Sequence, residues 1–176
     1  MSRRSTCIFV IVLPVLSSAC ATTGATPRPF PTPHPPAPVA PAGSADSTPA
    51  VRGRAAAYGV TGTALSLRGT PYRNGGSDPA GFDCSGFVYY VFGQNGFVVP
   101  RTVQELFRAG KQIDPPELEP GDLVFFTTVA PGATHVGIVI GGDEFVHAPS
   151  SVGQVRVERL SSSYWSTRFV GARRVL

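Results

Sequence analysis

The chain has 176 residues, of which 42% are hydrophobic and 15% charged, and its formal net charge is +4. The charge is mildly basic, yet the sequence contains no lysine-rich run and no stripe of alternating basic and aromatic residues. This pattern argues against a nucleic-acid-binding protein and is compatible with weak attraction to an anionic surface. After the N-terminal segments described next, the remaining length is sufficient for one hydrophobic core and one domain.

The first 20 residues have the three-part layout of a secretory signal. Arg3 and Arg4 form a basic start, residues 7–16 form an apolar run, and small residues follow at 17–19. The apolar run is too short to span a bilayer, so we interpret residues 1–20 as a signal peptide rather than a membrane anchor.

Cys20 lies where a bacterial lipoprotein is cleaved and lipidated, and the sequence around it resembles such a site. Leu16 falls one place further upstream than the usual leucine, so Ala19-Cys20-Ala21 is also a plausible site for ordinary signal peptidase. The resemblance implies an outer-membrane lipoprotein facing the periplasm if the bacterium is Gram-negative. The alternative is a free periplasmic or secreted protein.

Residues 21–54 are predicted to form a linker. Nine prolines lie between Pro27 and Pro49, and large apolar residues are almost absent. Such a segment cannot bury a core and favours a solvated, polyproline-rich spacer. At about 3.1 Å per residue it could reach on the order of 100 Å.

Residues 55–176 read as helices followed by strands. Helical patterns cover 55–67, 85–92 and 103–109, with Thr102 as a cap of the third helix and Gly110 as its end. Segments with β-branched and aromatic enrichment follow at 122–127, 135–140, 144–147, 154–160 and 169–175. This order predicts an α+β domain with an antiparallel sheet of about five to six strands.

Cys84 is the residue that most strongly suggests chemistry. Loss of the signal removes Cys7, and Cys20 is lipidated or removed, so Cys84 remains as an unpaired thiol in an oxidising compartment. A lone cysteine is otherwise most often a small buried apolar side chain, but Asp83 and Ser85 flank this one. At the start of a helix its pKa is expected to be lowered by the helix dipole.

Two histidines follow on predicted strands and complete a nucleophile pattern. His135 begins one strand and His147 ends the next, about six residues on either side of the turn at 141–143. In a hairpin centred there the two side chains lie opposite each other. His135 then suits a general base for Cys84, and His147 suits the residue that orients the base. One cysteine and two histidines lack the close spacing of metal ligands, so no metal or other cofactor is expected.

Six blocks in a fixed order resemble the NlpC-type family of bacterial cell-wall cysteine peptidases, which have a papain-like α+β fold. The similarity covers residues 55–176, and the layout of signal, linker and single domain resembles short lipoprotein murein endopeptidases. The blocks are G-T-P-Y-R-N-G-G at 69–76, F-D-C-S-G at 82–86, P-R-T at 100–102, P-G-D-L-V-F-F at 120–126, H-V-G-I-V at 135–139 and F-V-H-A at 145–148.

The resemblance implies roles for individual residues. Cys84 matches the nucleophile, His135 the base and His147 its orienter, while Tyr72 matches a tyrosine that helps to form the oxyanion pocket. Asp83, Ser85 and Arg101 match positions that flank the nucleophile or line the groove. The sequence departs from the family at Asn74, where many members carry an aromatic residue. Trp165 and Asp122 are interpreted as structural, filling the core edge and a turn.

The expected function is hydrolysis of an amide in the stem or cross-link peptides of peptidoglycan through a thioester on the cysteine. An amidase or acyltransferase on the same scaffold is one alternative, and a catalytically silent, wall-associated regulatory lipoprotein is another. The expected partners are peptidoglycan stem peptides and, through the lipid anchor, the membrane. The domain is expected to be a monomer.

Overall fold

The structure is a computed structural model, and it describes residues 48–176. The predicted signal peptide, Cys20 and most of the predicted linker lie outside the described residues. Within the described part, no helix combines the length and the apolarity needed to cross a bilayer.

The first helix, α1 (Pro49–Ser66), begins six residues before the predicted start at residue 55. Residues 49–54, which the sequence analysis assigned to the linker, are therefore helical. Pro49 occupies the first helical position, where its fixed φ and missing N–H are tolerated. Val60, Thr61 and Ala64 form the buried side of the helix.

The second and third helices agree closely with the prediction. Helix α2 spans Cys84–Gln94, and Asp83 caps its N-terminus by accepting a hydrogen bond from the Gly86 N–H. Helix α3 spans Val103–Arg108, and its predicted cap is confirmed, since the Glu105 N–H donates to Thr102 Oγ1 at 3.3 Å. These caps satisfy backbone donors that have no partner within the helix.

The strands form two sheets within residues 48–176. A two-stranded ribbon joins β1 (Ser77–Asp78) and β2 (Gly81–Phe82) ahead of α2. The main sheet is antiparallel, with the order β3-β8-β4-β5-β6-β7. Its strands are β3 (Lys111–Ile113), β4 (Leu123–Phe126), β5 (His135–Gly141), β6 (Glu144–His147), β7 (Arg156–Arg159) and β8 (Phe169–Arg174). The α+β prediction and the count of five to six strands are confirmed.

Four short elements were not predicted: β1, β2, β3 and the helix α4 (Ser163–Ser166), besides a 3₁₀ turn at Pro115–Glu117. Each has two to four residues, which is too short for a periodic pattern to emerge. Two of the three β3 residues are exposed, so this strand carries little apolar signal.

The two faces of the main sheet bury different cores. Along β4, Leu123 and Phe125 belong to a core shared with the helices, whereas Val124 and Phe126 belong to a second core that includes Trp165. This alternation follows from the two-residue period of a strand. Trp165 is thus a core residue, as predicted.

Asp122 does more than the predicted turn role. Its carboxylate is 1% exposed and accepts two hydrogen bonds of 2.8 Å from the Arg174 guanidinium, as well as the Glu119 N–H at 2.9 Å. A buried carboxylate without such partners would be strongly destabilising. The pair therefore fixes the start of β4 against β8, the last strand.

Candidate active site

Cys84 is the first residue of α2 and follows directly after the β1–β2 ribbon. The preceding Asp83 is anchored from both sides: its N–H donates to the Gly76 carbonyl at 3.0 Å, and its Oδ1 accepts the Gly86 N–H at 2.6 Å. We call residues 83–86, together with Gly76 and Arg101, the nucleophile turn. The backbone around the thiol is therefore held by bonds to neighbouring segments.

Arg101 connects the parts of the nucleophile turn. Its guanidinium donates to both carboxylate oxygens of Asp83, at 3.0 and 2.7 Å, and to Ser85 Oγ at 2.9 Å. A further bond of 3.3 Å reaches the Gly76 carbonyl. Burial opposes ionisation of Asp83, but the bonds from Arg101 and Gly86 outweigh it and lower the pKa of the carboxyl. Asp83, Ser85 and Arg101 bond to one another, so they hold the turn in position. Their contact with substrate stays a prediction.

Two glycines permit the close packing of this turn. A Cβ on Gly86 would collide with the carbonyl oxygen of Gly76, and a Cβ on Gly76 would collide with the backbone of Gly81. Backbone atoms cannot give way as the end of a flexible side chain can. Gly86 is therefore explained by the close approach of α2 to Gly76, and Gly76 by its close approach to Gly81 in the ribbon.

The environment of the Cys84 thiol differs from the sequence expectation. Burial, followed by the negative charge of Asp83, raises the pKa of the thiol to about 11. Backbone N–H groups of Ser85, Val136 and Cys84 itself act in the opposite direction but do not compensate. The predicted lowering of the pKa is therefore wrong, because desolvation of the thiolate exceeds the benefit of the helix N-terminus.

The two histidines meet on neighbouring strands as predicted, but they do not lie directly opposite each other, because Ile138 pairs with Val146 in the hairpin. His135 Nε2 lies 2.8 Å from His147 Nδ1, and the ring planes are nearly perpendicular at 84°. His135 is 7% exposed and His147 is fully buried. Burial lowers the pKa of His135 to about 4, and burial with the charge of His135 and Arg156 lowers that of His147 to about 2. Both rings are consequently neutral at neutral pH.

Within residues 48–176, no hydrogen bond joins the side chains of Cys84 and His135. A backbone hydrogen bond from Val136, the residue after His135, favours the thiolate of Cys84 and links the thiol to β5. Helix α2 packs against β5, the strand that begins with His135. The structure thus brings the histidines together and places the thiol beside the next residue of the same strand.

Tyr72 lies at the same end of the molecule. Its N–H donates to the Gly153 carbonyl at 2.7 Å, and it forms a bridge with Phe82, two residues before Cys84. Burial, then the charges of Cys84 and Asp83, raise the pKa of the phenol. The hydroxyl therefore stays protonated at neutral pH and can donate a hydrogen bond.

Two further residues contact the histidine pair, and the sequence analysis did not assign either to the site. The Trp165 ring stacks on His135 with centroids 5.5 Å apart and lies perpendicular to His147 at 5.0 Å. The indole Nε1–H donates to the Glu158 carboxylate. Only strand alternation on β7 could have suggested that Glu158 faces inward, and nothing in the sequence identifies its partner.

A cysteine that begins a helix, packed on an antiparallel sheet that presents a histidine, defines a papain-like α+β protein. The chain belongs to the NlpC/P60 family, whose model matches residues 69–174. The resemblance inferred from the six sequence blocks is thereby confirmed.

Three known proteins illustrate the relationship. The chain is 44% identical to murein DD-endopeptidase MepH of Escherichia coli strain K12 over 113 residues, which is 61% of this chain and 42% of that protein. It is 41% identical to the probable endopeptidase NlpC of the same strain over 119 residues, covering 66% of this chain and 77% of NlpC. A crystal structure of an NlpC/P60 family protein from Bacillus cereus superposes with a TM-score of 0.65 at 32% identity, covering 68% of this chain and 40% of that one. The matched part is less than half of the MepH chain.

Proposed function

We propose that the domain is a peptidoglycan hydrolase that cleaves an amide in the stem or cross-link peptides of murein, with Cys84 as nucleophile and His135 as base. The observation that carries the proposal is the hydrogen-bonded pair of His135 and His147, of which His135 begins β5, the strand that packs against the Cys84 helix. The names of MepH and NlpC as endopeptidases support the reaction class. A catalytically silent scaffold would have no need of this pair.

The first step follows from the protonation states. When His135 Nε2 carries its proton toward His147 Nδ1, the Nδ1 atom of His135 is left free to accept a proton. Because the resting thiol is neutral, Cys84 Sγ attacks the substrate carbonyl carbon as His135 takes the thiol proton.

Attack by the sulfur gives a tetrahedral intermediate, which then collapses to a thioester. The carbonyl electron pair moves to oxygen, where the Cys84 backbone N–H and the Tyr72 hydroxyl donate hydrogen bonds. The electron pair on the oxygen then re-forms the C=O bond, and the C–N bond breaks as His135 gives its proton to the leaving amine. In the second half, His135 takes a proton from water, the resulting hydroxide attacks the thioester, and the sulfur leaves and regains its proton.

Digestion of purified sacculi tests the proposal. Wild-type protein is expected to release muropeptides, and Cys84→Ala is expected to release none while its circular dichroism spectrum stays unchanged. Lytic activity retained by Cys84→Ala would refute the proposal.

Mass spectrometry of the fragments identifies the bond, because cleavage between D-glutamate and diaminopimelate and cleavage of the D-alanine cross-link leave different masses. The same spectra decide between a peptidase and the amidase or acyltransferase alternatives. Fragments that keep intact stem peptides and cross-links would contradict the endopeptidase assignment.

We also propose a cell-envelope location, with the domain anchored by a lipid on Cys20 and connected through the proline-rich segment. The basic start, the short apolar run and Ala19-Cys20 support this. Fatty-acid labelling of the full chain should be lost in Cys20→Ser, and the protein should move from the membrane to the soluble fraction. Labelling that persists would refute the anchor. The domain is proposed to act as a monomer.

A further inference from the structure

One nitrogen of the histidine pair lacks a partner. His147 is fully buried, and its Nε2 atom makes no hydrogen bond within residues 48–176. Aromatic rings surround it, with Phe145 at 4.8 Å and Trp165 at 5.0 Å between ring centroids. A buried polar atom without a partner costs about 1–3 kcal/mol, so its environment needs an explanation.

The chemistry of the base determines what this nitrogen must carry. If His135 Nδ1 is to accept the thiol proton, the proton of neutral His135 resides on Nε2 and is donated to His147 Nδ1. Neutral His147 then holds its own proton on Nε2. The atom without a partner is consequently an N–H donor, and only an acceptor beside it would favour this arrangement over the opposite tautomer.

Glu158 supplies such an acceptor. Its Oε2 atom lies 3.8 Å from His147 Nε2, about 1 Å beyond a hydrogen bond. Glu158 is on β7, opposite Phe145, and is held by two neighbours: Trp165 donates to Oε2, and Arg156 Nε lies 3.0 Å from Oε1. The side chain is 22% exposed, so the carboxylate is supported by protein groups without being sealed from water.

We propose that Glu158 is a positioning residue that sets the tautomers of His147 and His135 by accepting the His147 Nε2 proton. A small movement of the carboxylate closes the remaining gap. When His135 takes up the thiol proton, the negative charge of Glu158 also stabilises the positive charge on the histidine pair. Trp165 holds the carboxylate while stacking on His135, which explains why the indole contacts both rings. The inference rests on the proposed function for its kinetic effect.

The tautomer can be measured directly in the wild-type protein. Nitrogen-15 chemical shifts of the histidine rings at neutral pH should show His147 protonated on Nε2 and His135 protonated on Nε2. A His147 protonated on Nδ1 would overturn the proposal. This measurement needs no variant and no substrate, so it holds whether or not a substitution folds.

Kinetics of Glu158→Gln on a soluble cross-linked muropeptide provide the second test. We expect kcat to fall about 10- to 100-fold with KM unchanged, by analogy with the loss on removing the outer hydrogen-bond partner of a metal-bound histidine. The histidine signals should show mixed tautomers. The matched control is Glu144→Gln, a 47% exposed carboxylate on β6 that lies 3.9 Å from Arg159, and it should leave kcat and the tautomers unchanged.

The outcomes separate the two proposals. If Cys84→Ala remains active, the proposed function fails, while the tautomer measurement still decides the role of Glu158 as an acceptor. If Cys84→Ala is inactive but Glu158→Gln keeps wild-type kcat and tautomers, the proposed function stands and Glu158 only anchors Trp165. Equal losses in Glu158→Gln and Glu144→Gln would also overturn the positioning role, because they would indicate a general effect of charge.

Discussion

The nucleophile turn and the histidine pair are two halves of one candidate site, but they are held in different ways. In the nucleophile turn, both oxygens of Asp83 and the hydroxyl of Ser85 take part in hydrogen bonds with Arg101 or the backbone. In the histidine pair, a single bond of 2.8 Å joins two rings packed among aromatic side chains, and one nitrogen has no partner in the described residues.

The difference separates the tasks of the two halves. Directional bonds in the nucleophile turn determine where the sulfur lies, since the carboxylate, guanidinium and backbone allow little movement. Burial of the histidines keeps both rings neutral. A nearby hydrogen-bond acceptor then determines which ring nitrogen carries the proton. The stability of the nucleophile turn should therefore respond to substitutions that change packing or hydrogen bonding, and that of the histidine pair to changes of pH.

Acidification should destabilise the fold mainly through the histidine pair. Unfolded histidine has a pKa near 6.5, whereas the folded values are about 4 for His135 and about 2 for His147. Below pH 6.5 the unfolded state binds more protons, so stability falls as the pH decreases toward 4, by up to about 1.4 kcal/mol per pH unit for each histidine. Urea unfolding at pH 7, 6, 5 and 4 measures this slope.

A substitution can show that the histidine pair causes this dependence of the free energy of unfolding on pH. His147→Asn should roughly halve it, because one of the two groups is removed. Asp83 has a lowered pKa and contributes only as the pH falls below its ordinary value near 3.8, so its effect lies outside this window. A free energy of unfolding that is constant from pH 7 to pH 5 would contradict the lowered pKa values.

A methyl group in the nucleophile turn should be the most damaging small substitution. Gly86→Ala places a Cβ against the Gly76 carbonyl, so we expect a loss of about 3 kcal/mol in the free energy of unfolding. Displacement of Cys84 should also lower kcat/KM about 100-fold. The control is Gly93→Ala on the same helix, where the added Cβ meets open space.

Helix propensity predicts that Gly93→Ala stabilises the protein by about 0.5–1 kcal/mol without changing activity. Equal effects of Gly86→Ala and Gly93→Ala on the free energy of unfolding and on activity would show that close packing at Gly86 is unimportant.

Removal of the guanidinium should have a somewhat smaller effect on stability. Arg101→Met leaves the mostly buried Asp83 carboxylate without its charged partner, so we expect a loss of about 2 kcal/mol. The comparison is Arg73→Met, which removes an ion pair with Asp78 whose side chains are 50% and 53% exposed. Exposed pairs contribute little, so a much smaller loss is expected there. Losses of the same size in both variants, measured by urea unfolding, would contradict the special role of Arg101.

Much of this arrangement could be read from residue patterns. Enrichment in β-branched and aromatic residues between turn residues predicted the main strands, Thr102 predicted the start of α3, and the turn at 141–143 predicted that His135 and His147 lie on neighbouring strands. Each of these depends on neighbours close in sequence. The NlpC/P60 resemblance supplied the roles that spacing alone could not.

What the sequence did not indicate depends on long-range packing. The sign of the Cys84 pKa shift depends on how much protein covers the thiol, and the helix N-terminus alone gives the opposite direction. Glu158 and Trp165 meet the histidines only after β7 and α4 have packed on the sheet. The early start of α1 was missed because Pro49 was counted with the linker prolines, although proline is favoured in the first turn of a helix.

The central claim is that Cys84 forms a covalent bond to the acyl part of a murein peptide. Rapid acid quenching of the protein with a cross-linked muropeptide, followed by intact mass and peptide mapping, measures this directly. The account predicts an added acyl mass located on residue 84 in the wild type and its absence in Cys84→Ala. Muropeptide hydrolysis that continues in Cys84→Ala, with no adduct on the wild-type thiol, would contradict it.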